Sequence, residues 1–123
     1  MKLHRSTFAG HVIRAYGADH ILVDEQRHTT SLVLTPEHML ENWAPCGFGA
    51  LTAADFQAIL ALHPEIVVLG TGAHQRFPSP ALLRPLIDAR IGCEVMDTGA
   101  ACRTYNILAA EGRRVAAALM LEN

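Results

Sequence analysis

The stretch Ile66-Val67-Val68-Leu69 is an uninterrupted run of apolar residues bounded by Pro64 and Gly70. A strand that is apolar on both faces is typical of a parallel sheet covered by helices on either side. The run therefore predicts a central buried strand, and the segments on either side of it predict the rest of the fold.

A helix is predicted after this strand and the loop that runs to Phe77-Pro78. Ser79 is suited to cap it, and Pro80 suits the first helical position. Pro85 lies inside the same segment, where it either kinks the helix or marks where its regular part begins. The apolar stripe that we expect to face inward consists of Leu82, Leu83, Leu86 and Ile87.

A second strand, a third helix and a last strand complete the C-terminal half. Cys93-Glu94-Val95-Met96 is a short strand, Asp97 or Thr98 caps the helix, and Gly112 ends it. The segment 115–121 predicts a final strand that is apolar on both faces, and its alanines allow a helix to lie close. The expected inward face of the third helix carries Ala101, Cys102, Tyr105, Leu108 and Ala109.

The first helix lies before the central strand. Thr52 is a capping residue with Asp55 three positions later, and Leu51 and Phe56 suit a hydrophobic staple. His63-Pro64 is expected to end the helix, whose inward side chains are Phe56, Ile59 and Leu60.

The first third of the chain is predicted to be an antiparallel meander. Its three strands are the segments 10–16, 21–23 and 31–34, with a turn at Gly17-Ala18-Asp19. Residues 36–50 contain prolines and glycines and predict an irregular loop held down by Trp43. Three strands followed by alternating helices and strands are the pattern of a layered α/β sandwich, here one domain over residues 1–123.

The composition excludes several classes of protein. Ten Lys and Arg against twelve Asp and Glu give a net charge of −2 with no basic block, so a nucleic-acid partner has no support. Three cysteines, at positions 46, 93 and 102, are far apart and form no disulfide framework, which favours a reducing compartment. No apolar signal segment follows the basic start, and no apolar run could cross a membrane. We expect a cytoplasmic protein without a membrane-inserted segment.

Two loops leave the strands where ligands bind in open α/β sheets, beyond the carboxyl ends. Gly70-Thr71-Gly72 follows the central strand and Asp97-Thr98-Gly99 follows the next, so parallel strands would bring them to the same edge. The candidate ligand-binding residues are Gly70, Thr71, Gly72, Asp97, Thr98 and Arg103. Free N–H groups at the helix start and Arg103 would suit an anion. The commoner use of such glycines and threonines is as turns and caps.

Other chemistry has weaker support. Cys102 is a weak candidate for a reactive thiol, since it lies near a helix N-terminus beside Arg103, but it also lies on the predicted buried stripe. Seven histidines are scattered without the close spacing of metal ligands, and no pair of acids is placed for acid–base work. We predict no metal, no cofactor and no catalytic residue. Aromatic residues in predicted loops are candidate anchors for a partner: Trp43, Phe48 and Phe77.

The C-terminal residues carry a resemblance to a known family. It rests on the run from Val95 to Leu108 with its Arg103-Thr104-Tyr105-Asn106 element, on the segment 111–119, and on Val68-Leu69-Gly70-Thr71-Gly72. Trp43 and Phe77-Pro78 agree with it. The sequence resembles the Mth-type family of unknown function that includes mitochondrial respiratory complex I assembly factor 3, along nearly its whole length.

The resemblance implies a three-layer α/β fold with a central mixed sheet whose last strand is antiparallel to its neighbours. It also implies no established enzymatic activity. The mitochondrial members help to build NADH:ubiquinone oxidoreductase through protein–protein contacts. The lack of a targeting extension fits a bacterial cytoplasmic relative.

Two hypotheses about function follow. The favoured one is a non-enzymatic assembly or adaptor protein with respiratory complex subunits or assembly factors as partners. The alternative is a small-anion or small-molecule binding domain, possibly an enzyme, at the strand ends.

Overall fold

The computed structural model of the chain describes residues 10–121, so the predictions made for the first residues and for His4 lie outside it. The strands within that range are β1 Ile13–Gly17, β2 His20–Val23, β3 Gln26–His28, β4 Leu32–Leu34, β5 Met39–Glu41, β6 Ile66–Gly70, β7 Gly92–Met96 and β8 Val115–Leu119. The α-helices are α1 Ala53–Leu60, α2 Arg84–Asp88 and α3 Thr98–Ala110.

The strands form two sheets. The larger has the order β5-β4-β8-β6-β7, and the smaller is the antiparallel set β1-β2-β3. β6 is parallel to both β7 and β8, whereas β8 is antiparallel to β4. The mixed central sheet is thus confirmed. The expectation that the last strand runs antiparallel to its neighbours is wrong on the β6 side, because the crossover through α3 returns the chain in the direction of β6.

The large sheet is the middle of three layers, as expected for this fold class. One face is covered by α3 and the small sheet, and their shared core includes Ile21, Leu34, Val68 and Tyr105. The other face is covered by α1, α2 and the segment that contains Trp43. Because β6 is buried on both sides, its side chains alternate between these two cores, as its unbroken apolar sequence predicted.

The predicted meander is correct in kind but wrong in its third strand. β3 consists of Gln26–His28, a short polar segment that pairs with β2. Leu32–Leu34, predicted to be that strand, instead enters the large sheet between β5 and β8. All three of its residues are fully buried, which fits a strand covered on both faces better than an exposed edge.

The loop predicted over residues 36–50 contains one further short strand, β5, and a turn of 3-10 helix at Phe48–Ala50. Trp43 holds this segment against the core as predicted. Its ring meets Phe56 edge to face at 6.0 Å between centroids, and its Nε1 donates to the backbone oxygen of Asp55 at 2.9 Å.

The predicted helix starts are confirmed. Thr52 and Asp55 form a capping box at α1. Ser79 caps a turn of 3-10 helix, Pro80–Leu83, and the regular helix α2 follows with Pro85 in its first turn. Pro85 therefore marks where the regular part begins. Ile87, however, is 55% exposed and does not face inward, because a five-residue helix presents only one side, that of Leu86, to the sheet.

α3 is fixed at both ends by its own sequence. Asp97 caps its start. At its end Gly112 has a φ of 83° and donates to the oxygen of Ala109, while the N–H of Arg113 donates to Leu108 at 3.0 Å. These two bonds form a Schellman motif, which satisfies the last carbonyls. With 13 residues α3 is the longest helix of residues 10–121, and no helix there has the length and apolar character to cross a membrane.

Candidate functional site

The ends of the parallel strands meet at one edge of the large sheet, which we call the exit edge. It consists of Gly70–Gly72 after β6, Asp97–Gly99 after β7, and Met120–Leu121 after β8. The N–H of Thr71 donates to Met96 O at 2.9 Å, and the N–H of Thr98 donates to Gly72 O at 2.9 Å. The loops after β6 and β7 therefore lie together, as the sequence predicted.

The hydroxyl of Thr98 joins all three strand ends. It accepts a hydrogen bond from the N–H of Gly72 at 2.8 Å and donates one to Met120 O at 2.6 Å. The residue is only 6% exposed. The hydroxyl of Thr98 both donates and accepts within the chain, so its role in the structure is to hold the exit edge together.

Gly70 allows α3 to lie directly on β6. A Cβ built at Gly70 would stand 2.8 Å from the Cα of Thr98 and 3.0 Å from the Cβ of Ala101. Cβ atoms do not approach backbone atoms so closely in proteins, so any larger residue would push the helix away. This glycine serves close packing, which is the commoner use expected from its sequence context.

The loop after β6 is organised by Thr71, which is fully buried. Its hydroxyl accepts from the N–H of Arg76 at 2.9 Å and donates to His74 O at 2.6 Å. The Arg76 guanidinium returns to donate to Thr71 O at 2.8 Å and lies over the ring of Phe48, 4.4 Å from its centroid. The hydrogen bonds of Thr71 therefore fix the conformation of the loop.

The start of α3 already carries a negative charge from its own chain. Asp97 accepts a hydrogen bond from the N–H of Ala100 at 2.8 Å, and its backbone oxygen accepts one from Ala101 at 3.0 Å. With the N–H of Thr98 bound to Gly72, the donors that an external anion would need are largely occupied. A carboxylate at this position also satisfies the helix dipole.

Arg103 points away from the strand ends and toward the small sheet. Its Nη1 donates to the hydroxyl of Tyr16, and its guanidinium lies 5.9 Å from the Tyr16 ring centroid. A Cβ at Gly99 would stand 2.9 Å from that ring, so Tyr16 is seated directly on the first turn of α3. Arg103 therefore joins the hairpin β1–β2 to the helix.

A cavity of about 280 Å³, the exit cavity, lies between this hairpin and the exit edge. Of the predicted site residues, Gly72, Asp97 and Thr98 line it, whereas Gly70, Thr71 and Arg103 do not. The hairpin residues Tyr16 to Ala18 and the strand end Met120–Leu121 complete its walls. Neither segment was predicted at the site from the sequence, because the stacking of the small sheet brings the hairpin there and the pairing of β8 with β6 brings Met120–Leu121 there.

Cys102 is a core residue in the structure. It is 1% exposed, and burial raises the pKa of its thiol to about 12 despite the neighbouring charge of Arg103. The thiolate needed for nucleophilic reactions is therefore scarce near neutral pH. Among residues 10–121, no three His, Cys, Asp or Glu side chains are grouped closely enough to hold a metal ion.

The remaining residues of the Arg103-Thr104-Tyr105-Asn106 element also hold the layers together. The Tyr105 hydroxyl donates to His11 O at 2.8 Å, and its burial raises the pKa of the phenol, which keeps the donor protonated. Asn106 exchanges two hydrogen bonds with the backbone of Ile13. Thr104 lies on the opposite side, with its Oγ1 3.5 Å from the sulfur of Met96.

Comparison with known proteins agrees with this fold and with these motifs. A family model described as a protein of unknown function, DUF498/DUF598, matches residues 13–120. The chain belongs to this family. The matched residues include the loops after β6 and β7, the Arg103–Asn106 element and the hairpin that lies on it, so the resemblance noted from the sequence is confirmed.

Several relatives of the chain are named as an assembly factor of NADH dehydrogenase. The chain is 32% identical over 120 residues to NADH dehydrogenase [ubiquinone] 1 alpha subcomplex assembly factor 3 of Bos taurus, and 31% identical to the Homo sapiens protein. These matches cover 96% of this chain but only 65% of either relative. The chain thus spans slightly less than two thirds of the length of these relatives.

A solved structure has a closely similar fold. A crystal structure of a protein from Bordetella parapertussis is 38% identical, has a TM-score of 0.86, and covers 94% of this chain and 99% of that one.

Proposed function

We propose that this protein is a non-enzymatic assembly or adaptor protein that acts through protein–protein contacts on subunits or assembly factors of a respiratory complex. The observation that carries the proposal is the similarity to complex I assembly factor 3 across 96% of the chain. The hydrogen bonds of the structure also support the proposal. The polar residues of the Arg103–Asn106 element form hydrogen bonds within their own chain, which agrees with a structural role for them.

One loop aromatic is available to a partner. Trp43 is buried and Phe48 lies under Arg76, but Phe77 is 70% exposed at the end of the Thr71-organised loop. Aromatic side chains that enter a partner's pocket contribute a large share of binding energy at protein interfaces. The hydrogen bonds of Thr71 order the backbone of the loop that precedes Phe77, which lowers the entropy that the loop would lose on binding.

The proposal is tested by site-specific photocrosslinking in native cells. A photoreactive phenylalanine analogue replaces Phe77 in the full chain, and the matched control carries it at Glu111, an exposed position after α3. We expect crosslinks from position 77, and not from position 111, to subunits or assembly factors of the NADH:quinone oxidoreductase. Deletion of the gene should lower the amount of the assembled complex.

An unchanged level of the assembled complex after deletion, together with no specific crosslink from position 77, would refute the assembly role.

The same cells test the proposed location. We place the protein in the cytoplasm, consistent with its three free cysteines, and fractionation should recover it there or on the inner face of the membrane.

A second candidate function rests on the exit cavity, whose position matches the predicted ligand site. Its walls are mainly apolar, and Asp97 is the one charged residue among those that line it within the described range. That chemistry suits a small molecule with an apolar body and an amino group better than an anion. A melting-temperature screen of small amines tests it, with Asp97→Asn as the comparison because asparagine caps helices equally well. Equal shifts in both variants, or none, would exclude the candidate.

A further inference from the structure

A second cavity lies at the other end of the large sheet, beside the amino ends of β6 and β8. We call it the entry cavity. Its volume is about 470 Å³, within the range of small-molecule sites. Three turns enclose it: residues 35–38 between β4 and β5, residues 62–64 after α1, and residues 112–115 between α3 and β8. Neither the exit edge nor the Arg103–Asn106 element contributes to it.

One wall carries two arginines that share a single carboxylate. Arg113 Nε lies 3.0 Å from Glu65 Oε2, and the backbone N–H of Arg114 donates to Glu65 Oε1 at 3.0 Å. The Arg114 guanidinium stands 3.7 Å from the same oxygen. The hydrogen bonds from Arg114 and Arg113 lower the pKa of Glu65, so the carboxylate stays ionised and orients both side chains.

This arrangement leaves positive charge and donors in excess on that wall. Each guanidinium has five N–H donors, and one carboxylate neutralises only one of the two charges. Arg114 also donates weakly to the backbone oxygen of His63 at 3.4 Å, which holds its side chain near the cavity rim. Its side chain remains 70% exposed, so donors are accessible from solvent.

A separate turn that lines the cavity carries a negative charge, at Glu37. Glu37 belongs to the β4–β5 turn, whose shape is fixed by the Thr35 hydroxyl through hydrogen bonds from the N–H groups of Glu37 at 3.3 Å and His38 at 2.9 Å. The lining also includes an apolar floor, the buried residues Pro64 and Val115. The cavity therefore combines separated charges of opposite sign with an apolar base.

We propose that the entry cavity binds a small zwitterion of the α-amino-acid class with an aliphatic side chain. Its carboxylate binds the guanidinium groups of Arg113 and Arg114, its ammonium group faces Glu37, and its side chain rests on the apolar floor. This site goes beyond the assembly role and does not depend on it.

The test is an amide NMR titration of the full chain with L-leucine and two matched probes. 4-Methylpentanoate lacks the ammonium group, and 3-methylbutylamine lacks the carboxylate. We expect saturable shifts at residues 35–38, 62–64 and 112–115, with L-leucine binding at least about tenfold more tightly than either probe, which corresponds to about 1.4 kcal/mol.

Two variants test separately how the carboxylate and the ammonium group of the ligand are bound. Arg114→Ala should weaken L-leucine binding about tenfold, while Glu37→Gln should remove the preference for L-leucine over 4-methylpentanoate. Arg84→Ala, which changes a surface arginine paired with Asp88, is the matched control and should bind normally. The amide spectrum reports whether each variant is folded. No saturable shift up to about 10 mM, equal binding of the three probes, or shifts indifferent to both variants would overturn the proposal.

Discussion

Asn106 pairs with the backbone of Ile13 as a neighbouring strand would. Its Oδ1 accepts from the N–H of Ile13 at 3.0 Å, and its Nδ2 donates to the oxygen of Ile13 at 2.8 Å. β1 is the edge of the small sheet, and its pairing with β2 is irregular near Ile13. The amide side chain therefore satisfies backbone groups that no strand reaches, and it fixes the small sheet on α3.

Replacing Asn106 with alanine should destabilise the protein by about 1–3 kcal/mol, because the N–H and C=O of Ile13 lose their partners in a partly buried place. The free energy of unfolding in urea measures this. Ile107→Ala is the matched control, since Ile107 is the next residue of α3 and is 60% exposed. Equal losses in the two variants would show that Asn106 does not have this special role.

The packing of α3 on β6 depends on Gly70. Gly70→Ala places a methyl group 2.8 Å from the Cα of Thr98, and we expect a loss of about 1–3 kcal/mol from the forced shift of the helix. Gly92→Ala, also in a strand of the same sheet, meets no atom within 4 Å. Thermal unfolding of the two variants should therefore differ clearly, and similar melting temperatures would contradict the close-packing role.

The junction of the three strand ends depends on the Thr98 hydroxyl. Thr98→Val keeps the shape of the side chain but leaves the N–H of Gly72 and the oxygen of Met120 without their partner. We expect about 2 kcal/mol or more of destabilisation. Thr98→Ser retains the hydroxyl and should lose much less. Hydrogen exchange of the Gly72 amide gives a local measurement, and unchanged protection in Thr98→Val would oppose the assignment.

The fold could be predicted from the sequence wherever burial or capping leaves a strong pattern. The unbroken apolar run of β6, the caps Thr52, Ser79 and Asp97, and the terminating Gly112 all produced correct elements. β3 was missed because Gln26–His28 is short and polar, so nothing in its sequence separates it from a turn. β3 pairs with β2 because the two strands form a hairpin.

The site could be predicted only in part, for a related reason. Loops that follow parallel strands must share an edge, so Gly72 and Thr98 were placed together correctly. The direction of Arg103 depends on Tyr16, which is 87 residues away, and the entry cavity is formed by three turns that are distant in sequence. Such contacts follow from the stacking of layers, for which single-sequence patterns hold no signal.

The contact of the Asp24 carboxylate with the His11 ring predicts a small dependence of stability on pH. A hydrogen bond from His11, at 2.9 Å, and one from the N–H of Val12 lower the pKa of Asp24 below its ordinary value. A lowered carboxyl pKa stabilises the folded protein above about pH 4 and loses this effect as the pH falls through the folded value.

The variant Asp24→Asn tests this, because asparagine tolerates the φ of 54° at this position. We expect the wild-type chain to exceed it in stability by no more than about 1 kcal/mol at pH 6, since the pair is partly exposed. The difference should shrink as the pH falls below about 4 and through the folded pKa of Asp24. A difference that stays constant over this range in urea unfolding would exclude this contact as its source.

The three cysteines should differ in reactivity in the folded protein. Cys46 is exposed, whereas burial raises the pKa of Cys93 to about 11 and that of Cys102 to about 12. A raised thiol pKa lowers the thiolate fraction at pH 8, and buried sulfur is also out of reach of a reagent. Iodoacetamide should therefore label Cys46 first and Cys102 last, as followed by mass spectrometry of the peptides. In urea the three rates should converge, which controls for local sequence. Labelling of Cys102 in the folded protein as fast as Cys46 would show an opening at the start of α3, and would restore a chemical role to this thiol.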